Sequence, residues 1–233
     1  MLEVRDLYVG YYKDLNILQG VSMRAEQGKI TTILGANGVG KSTLLKAIYG
    51  FLQPSSGEIL LEGQSLLSIP VHQRVHLGIS YIMQQPSIFP WMTVEENIEL
   101  GAWSFRNDRG RIRLKIEENY ERFPLLKERR RTQAGKLSGG MRRMVELARV
   151  LMSDPKLILV DEPTAGLAIM AAREVYRLLT RLREEVGLTI ILVDQEIRSA
   201  LKIANYVYVL DLGRNKFSGP VEEFTDLEKA FWV

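Results

Sequence analysis

Apolar residues along this chain fall into short runs separated by amphipathic stretches and turn signals. Leu2 to Val9 alternates in part, and Ile17 to Arg24 leads into the turn Glu26–Gln27–Gly28, so both segments predict strands. KITTIL (29–34) is β-branched and apolar, which predicts a buried strand. LLKAIYG (44–50) predicts a helix closed by Gly50, and the turn QPSSG precedes a short strand, EILLEG. Residues 66–78 predict a helix ending at Gly78, followed by the strand ISYIM.

From Gln84 to about Ser153 the pattern changes to Glu, Arg and Leu at helical spacing. Thr93 and Glu96 form a capping box that opens the helix VEENIELGAW. A second helix is expected from about Asp108 to Arg122, stopping near Pro124, and a third after Ser138. β/α alternation then resumes with LILVDEP, a helix from about Ala171 to Val186, TIILVDQ, a short helix and YVYVLDLG. Strands alternating with helices predict a largely parallel sheet. The expected organisation is one α/β domain over 1–233. Its core is 1–84 and 154–233, a helical subdomain of about 85–153 is inserted, and no further domain follows the last strand.

Composition narrows the function. With 233 residues and 46% hydrophobic positions, the chain can bury a sizeable core, which excludes disorder. Cysteine is absent, which removes disulfides, a thiol nucleophile and a cysteine zinc site. The net charge of +3 suits an anionic ligand or a membrane surface but is too small to argue for nucleic acid. The charged N-terminus is no secretory leader. The apolar runs fall far short of the roughly 20 residues that span a bilayer, so any membrane role is expected to come through a partner.

The chemistry centres on Gly35-Ala36-Asn37-Gly38-Val39-Gly40-Lys41-Ser42, followed by Thr43, which fits the phosphate-binding pattern G-x-x-x-x-G-K-[ST] between a predicted strand and a predicted helix. Glycines let the backbone curl so that several N–H groups face one anion, and the helix adds its positive end. Lys41 would meet the β- and γ-phosphates, and the Ser42 hydroxyl would ligate magnesium. LILVDEP supplies the carboxylates: Asp161 to hold the metal and Glu162 to polarise the attacking water. Leu137-Ser138-Gly139-Gly140-Met141 reads as a second anion site at a helix start.

The order of phosphate loop, LSGG and LVDEP resembles the ATP-binding subunit of ABC transporters, and the resemblance spans essentially the whole chain. It implies a P-loop NTPase core with an N-terminal antiparallel β subdomain and an inserted helical subdomain, binding ATP and Mg2+. Two such subunits, in a homo- or heterodimer, would sandwich two nucleotides head to tail, with Ser138, Gly139 and Gly140 closing on the γ-phosphate held by the opposite subunit. The motion would drive transmembrane permease subunits from the cytoplasmic face of the membrane. Residue by residue, Gln84, or alternatively Gln85, matches the glutamine that touches magnesium. Tyr11, with Tyr12 as rival, matches the aromatic that stacks on adenine. Gln195 stands where many relatives have a γ-phosphate-binding histidine. Met141 replaces the usual signature glutamine and Ala168 an aspartate. A glutamine amide donates a hydrogen bond but carries no proton near neutral pH, which leaves Glu162 as the principal catalytic group beside Lys41 and Gln195. FPWMTVEENIELG, EPTAGLA and Gln195 look most like the ATPase subunits of branched-chain amino acid importers. An ABC ATPase for another solute or lipid is the alternative, and a soluble one acting on nucleic acid or ribosomes is a more distant one.

Other features read as ordinary surface or core. His72 and His76 lie four apart on a predicted helix but lack a third ligand. Glu95–Glu96 and Glu184–Glu185 point to different helix faces. KERRR (127–131) reads as a solvated basic run. Phe89, Pro90, Trp91 and Trp103 are either core or, as the resemblance implies, a grip on a permease.

Overall fold

The apolar runs divide their side chains among three cores, two of them large and set on opposite faces of one sheet, and a small third one of Leu34, Leu201, Val207, Val209 and Phe224. A computed structural model describes residues 1–12 and 15–224, so the expected extension of the core to 233 lies partly outside the described residues. In chain order the strands are β1 (Leu2–Val9), β2 (Leu18–Ala25), β3 (Ile30–Leu34), β4 (Ser56–Leu61) and β5 (Gln64–Ser65), then β6 (Ile79–Ile82), β7 (Leu157–Asp161), β8 (Thr189–Val193), β9 (Tyr206–Asp211) and β10 (Arg214–Pro220). The helices are α1 (Lys41–Tyr49), α2 (Val71–Arg74), α3 (Val94–Glu99), α4 (Arg109–Arg122) and α5 (Pro124–Glu128), then α6 (Gly139–Leu151), α7 (Ile169–Val186), α8 (Ile197–Leu201) and α9 (Val221–Phe224).

β2-β1-β4-β5 form an antiparallel sheet, and a second sheet runs β10-β9-β3-β8-β7-β6. In the second sheet β9, β3, β8, β7 and β6 pair in parallel and β10 closes one edge antiparallel. Side chains alternate across it. On β8, Ile190 and Leu192 enter one core and Ile191 and Val193 the other; on β7 the same holds for Ile158 and Val160 against Leu157 and Leu159. Burial on both faces explains why these strands read as continuous apolar runs. One core unites Ile33, Leu159 and Ile191 with Leu44, Leu45 and Ile48 of α1 and with Leu2, Val4, Val21 and Ile59 of the antiparallel sheet. The other unites Ile82, Ile158 and Ile190 with Ile98, Ile112, Val145, Val175 and Leu179 from α3, α4, α6 and α7. Each such side chain contributes roughly 1.5–3 kcal/mol when taken fully out of water.

Several predicted boundaries shift. Over 66–78 only α2 and a 3-10 turn at Val75–Leu77 are helical, because Pro70 keeps Ile69 out of helical geometry and becomes the N-cap. Pro124 does not merely end a helix; it opens α5 at a position where its missing N–H is harmless. VEENIELGAW is α-helical only to Glu99 and then continues as a 3-10 turn over Leu100–Phe105. At Gly101 an added Cβ would meet the Arg149 carbonyl oxygen at 1.9 Å, so this turn packs directly on α6. The capping box is formed: the Glu96 amide donates to Thr93 Oγ1 at 3.2 Å and the Thr93 amide to Glu96 Oε2 at 2.7 Å. α7 starts at Ile169, two residues early, and its N-cap Ala168 offers no side-chain acceptor. β10 had no clear sequence signal, since its Arg, Asn, Lys, Ser, Gly and Pro are poor strand formers.

Arg74, 1% exposed, ties α2 to the end of α1. Its guanidinium donates to the Ile48 carbonyl (2.5 Å), an orphan at the C-terminus of α1, and to the Leu66 carbonyl (2.7 Å) in the loop after β5. His72 and His76, on either side of it, are exposed.

Candidate active site

The C-terminal ends of β3, β7 and β8 open on one crevice, the place where parallel sheets bind ligands. After β3 the chain curls through Gly35, Gly38 and Gly40, all at positive φ (147°, 82° and 107°). At Gly35 an added Cβ would stand 2.4 Å from the Leu210 carbonyl oxygen, so both conformation and space demand glycine there. Asn37 and Gly38 are exposed at the crest, while Lys41 is 4% exposed. Lys41 Nζ donates to the carbonyls of Gly35 (2.8 Å) and Ala36 (2.9 Å), bracing the loop from within. Burial pushes the Lys41 ammonium below its ordinary pKa, and the carboxylates of Glu162, Asp161 and Asp194 pull the other way.

Ser42 Oγ donates to Asp161 Oδ1 at 2.8 Å, and Tyr81 OH donates to Asp161 Oδ2 at 2.8 Å. Asp161 is 3% exposed, and burial raises its pKa against these two hydrogen bonds, which lower it. The same crevice is reached by Tyr11, whose hydroxyl accepts from Lys46 Nζ at 3.1 Å and whose ring carries that ammonium 5.4 Å from its centroid. Tyr11 is 52% exposed and Tyr12 76%. Thr43 is buried on the first turn of α1.

Glu162 follows Asp161 at φ 44°, a left-handed conformation rare for a residue with a side chain. Its amide donates to the Val193 carbonyl at 2.7 Å, which holds the turn. One carboxylate oxygen, Oε2, accepts from Gln84 Nε2 and from Gln195 Nε2, each at 2.6 Å. Residues distant in sequence thus converge on a single carboxylate, and no bond to Gln85 takes part. Asp194, 3% exposed, shapes the turn that carries Gln195: its side chain accepts from the amides of Gln195 and Glu196 and from Thr164 Oγ1.

Ser138 caps α6, its Oγ accepting from the Met141 amide at 3.4 Å. Ser138 and Gly139 are exposed and Gly140 is buried. The approaches of Gly139 and Gly140 run to Leu167 and Ala171, not to the phosphate loop of the same chain. Phe89, Trp91 and Trp103 are 52%, 84% and 66% exposed, so none of them is core. Tyr81 was not foreseen, because nothing local marks one strand tyrosine as a carboxylate partner. Asp194 had a usable signal, since it ends an apolar run as Asp161 does.

The ABC transporter family profile matches residues 18–165. The chain belongs to the ABC transporter family. As an ABC ATPase subunit it binds ATP, and its relatives are ATP-binding transport proteins. It is 38% identical over 229 residues to the probable branched-chain amino acid transport ATP-binding protein LivF of Archaeoglobus fulgidus, covering 98% of this chain and 96% of that one. It is 40% identical over 204 residues to the high-affinity branched-chain amino acid transport ATP-binding protein BraG of Pseudomonas aeruginosa, covering 88% and 86%. Among solved structures, a nucleotide-free ATP-binding cassette from an ABC transporter superposes with a TM-score of 0.88 at 28% identity, covering 99% of this chain and 95% of that one. The ABC ATPase fold expected from the motif order is therefore the fold observed. Among the described residues no helix is long and apolar enough to cross a membrane.

Proposed function

We propose that this ABC ATPase subunit hydrolyses ATP with Glu162 as the general base and couples that step to branched-chain amino acid uptake. The observation that carries the chemistry is the double anchoring of Glu162 Oε2 by Gln84 and Gln195. Two amide donors on one oxygen keep the carboxylate oriented and leave Oε1 to take a proton from water. Gln195 orients Glu162 through this bond, and its amide would also reach the γ-phosphate of bound ATP. The phosphate loop (Gly35, Asn37, Gly38, Gly40, Lys41, Ser42 and Thr43) cradles the phosphates, and Tyr11 stacks on the adenine.

Magnesium fits the donor set. Ser42 Oγ, Asp161 and the Gln84 carbonyl-type side-chain oxygen are hard oxygen ligands, and the buried Asp161 carboxylate is disfavoured by desolvation until a cation compensates it. When bound, the ion would offset charge on the transferring phosphoryl group. Ser138 and Gly139, exposed at a helix start with the buried Gly140 behind them, and directed away from their own phosphate loop, suit the γ-phosphate of a second ATPase subunit arranged head to tail.

The exposed aromatics Phe89, Trp91 and Trp103 after Gln84 support a docking face for transmembrane permease subunits, with this subunit peripheral on the cytoplasmic face. The names and extent of the similar proteins LivF and BraG support branched-chain amino acids as the solute. Magnesium-dependent ATP turnover by wild type and Glu162→Gln, with size-exclusion of the variant with and without ATP, tests the motor. Loss of turnover with an ATP-dependent dimer is the expected result, and undiminished turnover in Glu162→Gln would remove Glu162 from its role. Leucine uptake by cells lacking this subunit tests the solute: uptake unchanged by its loss would refute the assignment.

A further inference from the structure

A buried charge pair outside the motifs joins three parts of the site. Arg143 and Glu146, one helical turn apart on α6, are 2% and 1% exposed, and Arg143 Nη1 meets Glu146 Oε2 at 2.7 Å. Arg143 also donates from Nη1 to the Met83 carbonyl (2.8 Å), from Nη2 to the Gln84 carbonyl (2.7 Å) and from Nε to the Pro163 carbonyl (3.1 Å). Glu146 Oε1 accepts from the Ser87 amide and, at 3.0 Å, from Ser87 Oγ. Arg149, one turn further, donates to the Ser87 carbonyl at 2.7 Å. Segment 83–87 is therefore bracketed at both ends by three residues of one face of α6. The backbone next to Glu162 is tied to the same guanidinium.

A buried ion pair is expensive to desolvate, and an apolar pair of similar volume often serves stability as well or better. Packing alone therefore gives no reason for this one. Its planar fork does what an apolar pair cannot: it holds three carbonyls from two loops on one rigid group. Those loops carry Gln84 and Glu162, whose side chains meet at 2.6 Å.

We propose that Arg143, held by Glu146, is a positioning residue for hydrolysis: it sets Gln84 and Glu162 in register with α6, so that a shift of the helix behind the signature is felt at the hydrolytic carboxylate. This rests on the reading of Glu162 as the general base. Arg143 is buried and its guanidinium donates to protein groups, so its effect falls on kcat and not on ATP binding.

The test uses the full chain. Arg143→Met/Glu146→Leu removes both charges together and strands neither. Arg143→Lys keeps the charge opposite Glu146 but loses the fork, and carries the test should the double variant fail to fold. Each is expected to lower kcat about 10- to 100-fold, the scale of a misplaced reacting group, with ATP affinity unchanged. Amide exchange should quicken in peptides covering 83–87 and the turn after Glu162. Adding Gln84→Ala to the double variant should cost little beyond the loss already present, because residues of one unit are not additive. Wild-type kcat with unchanged exchange, or full additivity with Gln84→Ala, would overturn the strut. Glu162→Gln separates the two readings. If it is inactive while Arg143→Met/Glu146→Leu turns over normally, only the strut fails. If Glu162→Gln still hydrolyses, the base assignment fails, and amide exchange alone decides the strut.

Discussion

Among the described residues, the buried charges at the phosphate loop and those on α6 are held in opposite ways. At the phosphate loop, Lys41 rests on two backbone carbonyls and Asp161 on two hydroxyls, and burial disfavours the charged form of both. On α6, Arg143 and Glu146 meet directly and spend their remaining groups on five further bonds to Met83, Gln84, Ser87 and Pro163. Burial is the leading influence on both charges of the first cluster, so a polyphosphate and a cation would supply the compensation they need. The second is closed, so it has nothing to offer a ligand and acts only on the geometry of its neighbours. Stability lost at the first cluster is the usual consequence of keeping a site ready.

The comparison can be broken at several points. The largest effect is expected for Glu162→Gln: phosphate release should fall about 10²- to 10⁴-fold while nucleotide binding persists, measured by steady-state turnover beside equilibrium titration. Next comes Arg143→Ala, which strands Glu146 without water; urea denaturation should show a loss of about 3–5 kcal/mol. Lys41→Ala should do the reverse. It should weaken ATP binding by about 1.5–3 kcal/mol in calorimetry and leave the nucleotide-free protein no less stable, because the removed cation was desolvated.

Asp161→Asn sharpens the contrast through pH. The folded-state pKa of Asp161 is raised, so the folded protein binds the proton more tightly than the unfolded chain does. This group therefore costs nothing below the ordinary carboxylate pKa. Its penalty grows as pH rises past that value and is complete above the raised folded pKa. Asp161→Asn should raise the melting temperature of the nucleotide-free protein at neutral pH and flatten this part of its pH dependence. It should at the same time abolish the magnesium dependence of ATP binding. The smallest effect lies at the uncapped start of α7: Ala168→Asp should stabilise the chain by about 1 kcal/mol in thermal unfolding, and an unchanged midpoint would show that the cap is not limiting.

Much of the molecule was legible in advance. The β/α alternation, the capping box at Thr93 and the buried runs before Asp161 and Asp194 follow from periodicity, because strands buried on both faces must be apolar throughout. Boundaries were less legible where backbone chemistry overrode the pattern, as at Pro70 and Pro124. Exposure of Trp91 and Trp103 was open in the sequence, since an aromatic residue packs equally well into a core or onto a partner.

The sequence by itself determined the phosphate loop, the Asp161–Glu162 step and the cap at Ser138. Each is a device of a few consecutive residues whose backbone does the work, so spacing alone encodes it. Only the tertiary structure decided that Tyr81 would hold Asp161, that Gln84 and Gln195 would meet on one oxygen of Glu162, and that Arg143 would bind two loops at once. Those contacts join residues from 20 to 80 positions apart, and the three partners of Arg143 are backbone carbonyls, which every residue carries and no pattern distinguishes. Pairing of β7 with β6 and β8 brings the first two sets within hydrogen-bond reach and packing of α6 brings the third, and a linear pattern contains no trace of those distances.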